Sequence, residues 1–62
     1  MKLSDQYFLY MITGNDDAAY HMECQYGLDG YSPALVSVIL NAIDKGEDVD
    51  DAIERYTTEC NS

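Results

Sequence analysis

The stretch from Ser32 to Gly46, SPALVSVILNAIDKG, constrains the fold of this chain more than any other. It is the longest apolar run, and both of its ends carry helix punctuation. Ser32 is a good N-cap, because its hydroxyl can accept a hydrogen bond from an orphan backbone N–H. Pro33 suits the first helical position, where its missing N–H costs nothing. Gly46 can adopt the left-handed conformation that closes a helix. Leu35, Val38, Ile39 and Ala42 recur at i, i+3, i+4, i+7 on one face. Val36, Leu40 and Ile43 form a second apolar face, and Ser37, Asn41 and Asp44 leave only a narrow polar stripe. A helix apolar nearly all round is a buried one, so residues 33–45 are expected to be the central helix of a very small domain.

The ending of the chain fits a partner for that helix. Val49, Ala52, Ile53, Tyr56 and Cys60 fall at i, i+3, i+4, i+7, i+11. Asp48 can cap this helix, with Asp51 three residues on in the manner of a capping box. The short link predicts a close αα-hairpin over residues 33–60.

The first half is more ambiguous. Ser4 as N-cap, Asp5 in a first turn and Gly14 at the far end suggest a helix, although Tyr7 to Ile12 has no deciding periodicity. Asn15, followed by Asp16, Asp17, Ala18 and Ala19, reads as a second helix start, with Gly27 as its stop. Ala18, Ala19, Met22 and Tyr26 would then share a face. The rival is a β-hairpin of residues 6–13 and 18–26, because residues 18–26 also alternate with a period near two. Leu28 to Tyr31 reads as a turn. The expectation is an all-α fold: one domain over residues 1–62, a bundle of three or four short helices around residues 33–45. The alternative is α+β, with an N-terminal β-hairpin packed on the two final helices.

Size and charge then limit function. Sixty-two residues bury only about 60% of the surface the unfolded chain exposes. Some apolar bulk could therefore be buried against a second copy. Twelve carboxylates face three Lys or Arg, for a formal charge of −9. Such a surface repels nucleic acid and anionic membranes and favours a basic partner. The apolar content, 47%, argues against disorder, which needs low hydrophobicity as well. No basic region followed by an apolar core opens the chain, and no run is long enough for a membrane span. The chain is expected to be cytoplasmic, with Cys24 and Cys60 as thiols; the sequence does not show whether the two cysteines meet.

Six acids crowd into residues 44–54: Asp44, Glu47, Asp48, Asp50, Asp51 and Glu54, opposed in that window only by Lys45. Asp48 to Glu54 places four charges on roughly 10 Å of helix, or about one per 2.6 Å, against roughly one per 1.7 Å along duplex DNA. A simpler account covers Asp48, Asp50 and Asp51, since acids in a first turn gain about 0.3–1 kcal/mol each from the helix dipole. It leaves Glu47, Glu54, Asp16, Asp17, Asp29 and Glu59 unexplained.

Other chemistry finds little support. EDVDD lacks the glycine and spacing of a calcium loop. His21, Cys24 and Cys60 are too few for a structural zinc site. The last helix has only Arg55 to offer DNA, so a DNA-reading helix pair is rejected. No phosphate loop, nucleophile elbow or triad can be assembled. No enzymatic activity, metal or cofactor is expected. The six tyrosines suit an interface, but the simpler account is that they fill a core short of Leu and Ile.

The functional expectation is a small acidic inhibitor or adaptor that occupies a basic surface on a nucleic-acid-binding protein or complex. Its partner-binding residues would be Asp44, Glu47, Asp48, Asp50, Asp51 and Glu54, with Asp16 and Asp17. The setting that size and charge suggest is a phage or mobile element, with a nucleic-acid mimic blocking a host defence complex of the CRISPR or restriction type. The alternatives are a structural homodimer without mimicry, and a metal-responsive regulator using His21, Cys24 and the acids.

Overall fold

The computed structural model describes residues 1–61, with side chains through residue 59. The fold is all-α. Four helices follow in order: α1 Leu3–Ile12, α2 Asp16–Gln25, α3 Pro33–Lys45 and α4 Val49–Asn61. No strand occurs among the described residues, so the N-terminal β-hairpin is ruled out. Local signals explain why helix wins there. The Asn15 side chain accepts the Ala18 N–H at 3.4 Å and caps α2. Gly14 and Gly27 take positive φ, 74° and 70°, where α1 and α2 give way to turns. Burial in α2 follows the helical period: Ala19 is enclosed and Met22 half-buried, while Tyr20 stands in water.

The central position of α3 is borne out. It packs on α1 on one side and on α4 on the other, while α2 packs on α1. Ser32 Oγ accepts the Leu35 N–H at 3.3 Å, and Pro33 opens the helix. Gly46 closes it at φ 72°, and the Glu47 N–H reaches back to the Ala42 carbonyl at 2.9 Å. Val36, Ile39, Leu40 and Ala42 are buried, a stripe that straddles the two apolar faces legible in the sequence. Each large aliphatic here contributes about 1.5–3 kcal/mol on burial. Ile43 remains 38% exposed, so the helix is central without being enclosed all round.

The αα-hairpin of α3 and α4 also holds. Val49 and Ile53 pack against the core and Ala52 is buried; the predicted fifth member of the stripe, Cys60, has its side chain outside the described part. The turn read at Leu28 to Tyr31 forms, with the Tyr31 N–H on the Leu28 carbonyl at 3.2 Å, and Leu28 is in addition buried in the core between α1, α2 and α3. One detail departs from expectation. Ser4 is not the N-cap of α1. Lys2 occupies that position without a side-chain cap. The cap comes from Asp44 of α3, whose carboxylate accepts the Leu3 N–H, the Ser4 N–H and the Ser4 hydroxyl, each at 2.9 Å. The polar stripe of α3 thus meets the start of α1, and a tertiary contact overrides the local one.

Candidate functional site

The densest charge lies where α3 gives way to α4. Asp48 Oδ1 accepts the Asp50 N–H at 2.9 Å and the Asp51 N–H at 3.3 Å, which starts α4. Because Val49, Ala52, Ile53 and Tyr56 take the inward stripe, Asp50, Asp51 and Glu54 are turned to solvent, and all three are exposed. Glu47, Asp48, Asp51 and Glu54 come together with Arg55 around one shallow recess of ≈ 460 Å³. Asp50 stands exposed on the same first turn. The Arg55 guanidinium meets Glu47 Oε2 at 3.2 Å. Both side chains remain wet, so the pair contributes only about 0–1 kcal/mol. One arginine against five carboxylates leaves the edge strongly negative.

The other sequence-derived candidates are placed differently. The Asp44 carboxylate is committed to the first turn of α1. The Ser4 backbone bond, then those from Leu3 and the Ser4 hydroxyl, with Lys2 nearby, hold its pKa below the ordinary carboxylate value. Asp16 and Asp17 are exposed in the first turn of α2. That helix packs on α1, whereas α4 packs on α3. The eight residues therefore do not form one surface. Five make an edge, one is structural, and two belong to a different part of the molecule.

A second groove, ≈ 210 Å³, runs between α3 and α4 and shares Glu47 and Arg55 with the acidic recess. It mixes Val38, Ala52 and Tyr56 with Lys45 and Glu59, so it has neither an apolar lining nor one sign of charge. Nothing in it resembles an enclosed reaction site. His21 and Cys24 are both exposed on α2. Among the described residues no three His, Cys, Asp or Glu side chains gather as metal ligands would. Nor is any helix among the described residues long and apolar enough to cross a membrane. The Tyr20 hydroxyl is pushed above its ordinary pKa chiefly by a hydrogen bond with Cys24.

Sequence reasoning missed two working parts. One is the Asp44 cap, whose only signal was an acid on the polar stripe of an otherwise apolar helix. The other is the link from the Tyr7 hydroxyl to Glu23 Oε2, 3.2 Å, which joins α1 to α2 and has no sequence signature. Comparison with protein families, with curated proteins and with solved structures found no match for this chain.

Proposed function

We propose that the chain is a small acidic protein-binding module, an inhibitor or adaptor, whose Glu47–Glu54 edge occupies a basic surface of a nucleic-acid-binding protein. The observation that supports this reading is the gathering of Glu47, Asp48, Asp51 and Glu54 around one open recess, with Asp50 beside them and Arg55 the one base among the described residues that line it. The mechanism is steric and electrostatic. The carboxylates take the place of phosphates against Lys and Arg, whose affinity for such an array weakens as salt rises. Asp44 takes no part, since its oxygens are used inside the molecule. The setting proposed is a phage or mobile element acting on a host defence complex, an analogy of size and charge.

The test is a variant carrying Asp48→Asn, Asp50→Asn, Asp51→Asn and Glu54→Gln. Asn caps a helix about as well as Asp, so the start of α4 survives. Tagged wild type and variant are each used to capture proteins from the heparin-binding fraction of a nuclease-treated bacterial lysate. Wild type should retain a basic protein that salt releases. The variant should retain at least about ten-fold less, roughly 1.4 kcal/mol spread over four charges. Equal retention by both would remove the charge mechanism.

A further inference from the structure

The outer face of α1 is an apolar surface that neither the core nor the acidic edge uses. Leu3, Tyr7 and Tyr10 turn α1 toward the core. Phe8 (61% exposed), Ile12 (63%), Leu9 and Met11 are left in water. These four cover roughly half the circumference at 3.6 residues per turn, and Asp5 is the one charged residue of the helix. Monomeric proteins rarely expose contiguous apolar patches larger than a few hundred Å².

We propose that this face docks on α1 of a second copy of the chain, antiparallel about a two-fold axis. A two-fold interface sets the same patch against itself. With Phe8 and Leu9 near the axis, the start of each α1 meets the end of the other. Lys2 stands just before α1, and Asp16 and Asp17 stand just after it, at the opening of α2. The antiparallel arrangement therefore brings Lys2 of each copy toward Asp16 and Asp17 of the other. A parallel one would set like charges together at both ends. Lys2 also lowers the pKa of Asp44, so its charge is shared between two tasks.

The rest of the molecule suits this occupant. Two chains of charge −9 repel, and the cost is least where their carboxylates stay apart. The acidic helix α4 packs on α3, as α1 does, so its outward acids are not on the contacting helix, although Asp5 lies on α1 and Asp44 beside its start. Among the described residues the enclosed hydrophobic core is eight side chains, three of them alanines, and association is a common remedy for so small a core. Four exposed apolar side chains are far fewer than the roughly 20–30 residues a side of a standard interface, so the dimer is weak and concentration-dependent. This inference does not rest on the proposed function, because its contact residues are not those of the Glu47–Glu54 edge.

Sedimentation equilibrium of the full chain, from about 10 μM to about 1 mM, tests it. The mass should rise from one chain to two across that range. Phe8→Ser with Ile12→Ser should give a single-chain mass throughout, with the helical circular dichroism kept. Lys2→Glu should weaken the dimer about ten-fold, as should Asp16→Lys with Asp17→Lys. The three together should restore it to within about three-fold. A single-chain mass for wild type at every concentration overturns the proposal, whatever other protein the face then proves to hold. So does a dimer indifferent to the serine substitutions. Failure of the charge exchange to rescue overturns the antiparallel arrangement.

Discussion

Tyr7 is 1% exposed, its ring among Ala19, Leu28, Val36, Ile39 and Leu40 in the core. Its hydroxyl still finds a partner in Glu23, as a buried polar group must. Burial first, then the Glu23 charge and the hydrogen bond, push its pKa from 10.0 up to about 12. The folded value thus lies above the unfolded one. The stabilisation is complete below pH 10 and is lost as pH rises through about 12. Tyr7→Phe keeps the ring and removes the hydroxyl. It should cost about 1 kcal/mol at neutral pH, and denaturant melts at about pH 8 and pH 11 should show a smaller alkaline loss than wild type. Equal losses in the two proteins would contradict this assignment. Sequence alone could not single out Tyr7 among six tyrosines. Every residue from Tyr7 to Ile12 is apolar or aromatic, and which of them faces inward depends on where α3 lies.

At the scale of elements, what could be read depended on whether a helix carries its own boundaries. Residues 33–45 and the start of α4 have caps, stops and an apolar period that agree with one another, and both helices form where those signals put them. α2 was legible through Asn15 and Gly27, although alternation in residues 18–26 competed. α1 was least legible, because one of its apolar faces remains in water and its cap comes from a residue 40 positions away. That cap makes a prediction. Asp44→Ala should lower the melting temperature by about 5–10 °C, the usual effect of losing a cap in a domain this size. The Asp44 pKa is lowered in the fold, so its contribution is present above the ordinary value of 3.8 and disappears as pH falls through the folded value. Asp44→Asn should therefore show a shallower acid loss than wild type in melts followed by circular dichroism. An unchanged melting temperature for Asp44→Ala would mean that α1 starts without it.

For the whole molecule, the sequence supplied the amount of charge but only part of its arrangement. The outward direction of Asp50, Asp51 and Glu54 follows from the inward stripe of α4 and was readable. The diversion of Asp44 into the fold was not, nor was the separation of Asp16 and Asp17 from the rest, because both depend on how helices distant in sequence pack. The resulting order, α2 on α1, α1 on α3, α3 on α4, gives the molecule an acidic edge on α4 and an apolar face on α1. Each is the kind of surface that a partner, basic in one case and apolar in the other, would cover.

The central claim is that the negative edge at Glu47–Glu54 is the part of this molecule that meets a basic partner. It is tested most directly by titrating the isotope-labelled chain with a deca-arginine peptide at low salt and following every backbone amide by nuclear magnetic resonance. The account predicts that the largest shifts fall on Glu47, Asp48, Asp50, Asp51, Glu54 and Arg55, that they reverse on adding salt, and that Asp16 and Asp17 move less. Shifts of equal size at Asp16, Asp17 and the α4 edge would contradict it, because the peptide would then be answering net charge alone.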